Sequence, residues 1–161
     1  MSDEYERNIL QNIDEHGWFC TSVFDPTGTR PAFSYSVGFT RTLDAPEFIV
    51  FGLDTKMMHS MLWQVLRDIK AGRKPGDLDT WGGLLAGHDC VIRAVHPTNI
   101  IREYLSSAMW LWGDPATRGP LTAFQIVWPG AGTKLFPWDE GCPQIVRDEQ
   151  PSLYLPNAGL H

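Results

Sequence analysis

Ser34, Ser36, Gly38 and Thr40 stand at alternate positions of one run, which puts their small polar groups on a single face of a strand. Hydroxyls and bare backbone on such a face can receive a phosphate or a planar ring, and Arg41 adds a positive charge at the end of the row. The same row equally suits a solvent face or one closely covered by another element. Further along, Trp81-Gly82-Gly83 and Gly87-His88 set an indole and an imidazole in a glycine-rich stretch. Stacking and proton transfer are what those rings would bring to a pocket if the stretch were a lid, although a plain connecting loop has the same composition. Gln125, inside an apolar run, offers an amide to a ligand or to a neighbouring backbone group. Ser34, Ser36, Arg41, Trp81, His88 and Gln125 are therefore the candidate ligand-binding residues, and no catalytic residue is assigned.

Several chemistries find no support. His88, Cys90 and His96 carry metal-ligating atoms, but Cys90 and His96 lie too far apart along one strand to share an ion. The chain has no HExxH, no paired-cysteine spacing, no GxxxxGK[ST] and no GxSxG, so zinc, phosphate-loop and hydrolase-elbow readings lack their motifs. Cys20, Cys90 and Cys142 are odd in number and scattered, as suits a reducing compartment rather than a disulfide framework.

The 161 residues are enough for one domain with a continuous core, and 43% hydrophobic with 20% charged residues is ordinary globular usage. A net charge of −6 argues against a nucleic-acid partner, and the basic pair Arg73-Lys74 sits where cations face the last carbonyls of a helix. An acidic, polar beginning and the lack of a long apolar run lead us to expect a cytoplasmic protein with no membrane association.

These residues need elements to position them. Ser2 is placed to cap a helix reaching about residue 15, with Tyr5, Ile9, Leu10 and Ile13 on one face. Strands are expected over 18–24 and 33–40, joined as a hairpin by Asp25-Pro26-Thr27-Gly28-Thr29. The run 48–53 is apolar throughout, as befits a central strand covered on both faces. Met58, Met61, Leu62, Val65, Leu66 and Ile69 recur at helical spacing between Asp54 and Gly72. The stretch 73–88 reads as a loop, 90–95 as a strand, 98–112 as a third helix capped by Thr98, and 121–128 as a strand. Residues 129–161, rich in Pro and Gly, read as a surface wrap with a short strand near 144–147. The fold class is α+β: one domain over 1–161 with a mainly antiparallel sheet, or a small barrel, of five or six strands packed by three helices.

The blocks His16-Gly17-Trp18, Tyr35-Ser36-Val37-Gly38-Phe39, Pro46-Glu47 leading into Val50-Phe51-Gly52-Leu53, Gln125-Ile126-Val127-Trp128-Pro129 and Phe136-Pro137-Trp138 together resemble a bacterial family catalogued only as a domain of unknown function. The blocks run in order over nearly the whole chain, and the resemblance implies no particular chemistry. Where that family usually carries an Asp after Trp-Pro, this chain has Gly130. The order hairpin, apolar strand ending in Gly, then helix is similar to flavin-binding split barrels and to suppressor-of-fused-type domains at the level of fold alone.

Two functions follow as expectations. One is a small-molecule or cofactor-binding domain, with flavin as a candidate cofactor and redox as a candidate role. The other is a non-enzymatic module, such as an immunity or regulatory partner, that meets a protein through exposed members of its seven tryptophans.

Overall fold

The computed structural model describes residues 3–158, so the cap expected from Ser2 lies outside the described residues. Helix α1 (Asp3–His16) begins with Asp3, Glu4 and Glu6, whose charges complement the positive end of its dipole. A hairpin of β1 (Phe19–Val23) and β2 (Phe33–Val37) follows, then the one-turn helix α2 (Phe39–Thr42) and strand β3 (Glu47–Phe51), antiparallel to β2. Helix α3 (Thr55–Lys70) starts where the Asp54 side chain accepts the Lys56 N–H and leads to a second hairpin, β4 (Thr80–Leu85) with β5 (His88–Ala94). A 3₁₀ turn (Pro97–Asn99), α4 (Arg102–Trp112) and the short α5 (Pro115–Arg118) carry the chain to β6 (Ala123–Val127). The short α6 (Gln144–Asp148) lies in the C-terminal segment.

Strand β6 inserts between the two hairpin units, parallel to β3 and antiparallel to β5, which gives the order β1-β2-β3-β6-β5-β4. Four of the five pairings are antiparallel. The sheet is open, so the α+β arrangement is realised without the barrel alternative. Alternation along each strand divides the core into two. Phe48, Val50, Cys90, Ile92, Phe124 and Ile126 meet Met58, Met61, Leu62, Val65 and Leu66 of α3. Phe33, Tyr35, Val37, Ile49, Phe51 and Ala123 meet Ile9 of α1 and Tyr104, Leu105, Ala108 and Leu111 of α4. Each buried Val, Leu, Ile, Phe or Met side chain among them contributes about 1.5–3 kcal/mol, which explains why the central strands are apolar at nearly every position.

Helix α4 is kinked at Leu105 (φ −135°, ψ 33°). Past the kink the Ser107 N–H donates to the Tyr35 hydroxyl at 2.9 Å, so a side chain on β2 takes a backbone donor of the bent turn.

Four local expectations are corrected. The 33–40 strand stops at Val37, because Gly38 (φ 114°) turns the backbone into α2. The 73–88 stretch is no simple loop: its glycine-rich half forms β4, held by pairing with β5 and by burial of Trp81 and Leu84. The third helix starts at Arg102 with Ile101 as its N-cap, while Thr98 lies in the 3₁₀ turn that the His96 imidazole caps. Around 144–147 the chain is the helix α6, since no strand edge stands free for it beside β6.

Candidate functional site

The Ser34 and Ser36 face of β2 lies beneath α3, and both hydroxyls are fully buried. Ser34 pairs with Ser22 across the hairpin at 2.9 Å. Ser36 donates to Glu47 Oε1 at 2.8 Å and accepts the Phe48 N–H at 2.9 Å. The Glu47 carboxylate also receives the N–H groups of Gly38 (2.8 Å) and Phe39 (3.0 Å), and the Thr40 hydroxyl at 3.5 Å. It thus takes the place of a side-chain cap at the start of α2, where Gly38 offers none. Burial pushes its pKa up to about 7 against the pull of those donors. Enclosed and fully occupied, Ser36 and Glu47 pin β2, α2 and β3 together. The Tyr35-to-Phe39 and Pro46-Glu47 blocks meet at this one carboxylate.

The other candidates are dispersed. Arg41 is exposed on α2. Trp81 is buried, its indole N–H donating to Asp68 Oδ2 at 2.7 Å while the Arg73 guanidinium stacks 3.8 Å from its ring centre. The ring therefore ties β4 to the end of α3 instead of riding on a lid. His88 opens β5, beside a 380 Å³ depression shared with Lys134 and Phe136. Its Nδ1 is buried and meets no hydrogen-bond partner among the described residues. Gln125 is buried and grips the C-terminal segment, donating to the Pro151 carbonyl (2.8 Å) and accepting the Leu153 N–H (3.0 Å). Among the described residues, no three His, Cys, Asp or Glu side chains group to hold a metal ion.

A cavity of about 720 Å³ lies elsewhere, between the β1–β2 connection, the start of α4 and the end of α6. Its wall includes the rings of Phe33, Phe51 and Tyr104, with centroids 4.9 to 6.1 Å apart. Val23, Phe24, Pro26 and Pro31 extend the apolar lining, and Phe24 is 59% exposed. Burial, aided by the neighbouring Glu103 charge, raises the Tyr104 phenol above its ordinary value and keeps it a neutral donor.

The connection around the cavity is built by local chemistry. Asp25 accepts the Thr27 and Arg30 N–H groups and the Thr27 and Thr29 hydroxyls at 2.7 to 3.0 Å, which holds its carboxyl far below the usual carboxylate range. Arg30 then reaches Glu103 of α4 at 2.6 Å and ties the connection to the opposite wall. Arg147 is fixed by the carbonyls of Pro137 (3.0 Å) and Asp139 (2.9 Å), and Asp148 accepts from Gln144 at 2.8 Å.

None of the six candidates read from the sequence lines this cavity. The available signal was the pairing of turn residues with Val23, Phe24 and Pro31, apolar groups that a bare hairpin turn does not need. The contributions of Glu103, Tyr104 and Arg147 come from chain far downstream and carried no local signal.

At the departure noted after Trp128-Pro129, Gly130 is buried, and an added Cβ would lie 2.8 Å from Thr133 Oγ1 and 3.3 Å from Val146. An Asp there requires the Thr133 side chain to move. No curated protein and no solved structure matches the chain in comparison. The family model described as "Domain of unknown function (DUF4262)" matches residues 12–143. That span takes in the Ser36–Glu47 knot, the first hairpin and all six strands, and on it the chain belongs to this family of unknown function.

Proposed function

We propose that this protein is a small-molecule-binding domain whose site is the cavity between the β1–β2 connection and α4. The observation that carries the reading is a 720 Å³ concavity walled by Phe33, Phe51 and Tyr104 and opening beside an exposed Phe24. Ligand sites are commonly about 300–1,000 Å³, mostly apolar, with a few polar groups that fix orientation. An isoalloxazine ring suits such walls, but a flavin phosphate would meet a lining in which three carboxylates outnumber two guanidiniums. Riboflavin, which lacks the phosphate, is thus the flavin to test.

The protein-interaction reading has less to stand on. Six of the seven tryptophans are buried or half-buried, and Trp138 alone is exposed, at 39%.

The test is amide chemical-shift mapping of the full chain with riboflavin and with 2-naphthylmethanol, alongside native mass spectrometry of freshly purified protein. We expect shifts confined to residues 23–33, 51 and 103–104, and weaker binding in Phe24→Ala. Shifts centred elsewhere, or no binding by either probe together with a bare apo mass, would reject the site.

A further inference from the structure

Resting on the reading of this cavity as a ligand site, we infer that its ligand is a ring-bearing apolar molecule carrying a cationic amine. Three carboxylates, Asp25, Glu103 and Asp148, line the cavity against two guanidiniums, Arg30 and Arg147. Arg30 donates through Nη1 to Glu103, and Arg147 through Nε and Nη2 to two backbone carbonyls. Asp25 is saturated by its own connection.

The formal charge of the lining is −1, three carboxylates against two guanidiniums. Asp148 Oδ1 accepts from Gln144 and Glu103 Oε1 from Arg30, while Asp148 Oδ2 and Glu103 Oε2 have no partner among the described residues. An ammonium group entering the cavity therefore finds carboxylate oxygen available. A phosphate or carboxylate entering the same space meets more carboxylates than guanidiniums. The overall charge of −6 acts in the same direction at long range.

The test is isothermal titration of the full chain with three probes on one skeleton: 2-naphthylmethylamine, 2-naphthylmethanol and 2-naphthoate. We expect the amine to bind about tenfold or more tightly than the naphthoate, with the alcohol between them. Asp148→Asn should weaken the amine about threefold and leave the alcohol unchanged, whereas Phe24→Ala should weaken all three alike. Naphthoate binding as well as or better than the amine overturns the amine inference while leaving the cavity a ligand site. An amine preference unmoved by Asp148→Asn overturns the inference too, because another group then supplies the selectivity. Failure of all three probes removes the ligand-site reading itself, and the inference with it.

Discussion

Glu47 shows how one residue's chemistry is set by its enclosure. Its folded-state pKa, about 7, lies above the ordinary 4.5, so between those values the folded chain holds a proton that the unfolded chain has released. The stability from this group is fully present below about pH 4.5 and is lost as pH rises through 7, on the order of 3 kcal/mol in all. Urea midpoints should therefore fall between pH 5 and pH 8. Glu47→Gln should flatten that fall while lowering stability throughout, because its amide N–H₂ would confront the Gly38 or Phe39 N–H groups. Equal slopes in the two proteins would mean that the titration belongs to another group. Little of this was legible beforehand: a Glu opening an apolar strand is visible in the sequence, but its partners Ser36, Gly38 and Phe39 reach it only through the β2–α2–β3 turn.

Among the elements, α4 bends against a neighbour. Its apolar spacing predicts a regular helix, yet the kink at Leu105 leaves Ser107 donating to the Tyr35 hydroxyl of β2. Burial also raises the Tyr35 phenol pKa, so the hydroxyl stays protonated while it accepts that bond. Tyr35→Phe should cost about 1–3 kcal/mol by removing the acceptor, with faster hydrogen exchange at Ser107 as its local signature. An unchanged exchange rate there would show that the kink is set by packing alone. The strands 18–24, 48–53, 90–95 and 121–128 and the helix from Thr55 were legible because their periodicity is strong. Strand β4 was not, since two of its six residues are glycines and its order comes from β5, Asp68 and Arg73.

At the scale of the molecule, the C-terminal segment is sewn to the sheet by side-chain amides. Gln125 holds Pro151 and Leu153, Gln150 both accepts from and donates to the backbone of Trp128, and Asn99 donates to the carbonyls of Leu153 and Leu155. Leu153 is fully buried as a result, and the Glu149 carbonyl sits 2.6 Å from where a Cβ on Gly52 (φ 80°) would stand. Gln125→Leu should leave backbone groups of residues 151 and 153 without these partners, at a cost of about 2–4 kcal/mol. It should also expose residues 150–158 to limited proteolysis first; cleavage elsewhere would show that the segment is held by Leu153 packing instead. Its Pro and Gly content marked the segment as a wrap, and the sequence by itself determined the α+β class, the first hairpin, the apolar central strands and the amphipathic helix beneath them. Those features arise from local propensity and periodicity, which neighbouring residues carry together. Tertiary structure alone decided that β6 enters between two hairpins, that Glu47 closes a buried knot, and that residues 23–31, 103–104 and 147–148 share a cavity. Each of these depends on long-range chain crossings, for which a single sequence provides no spacing rule.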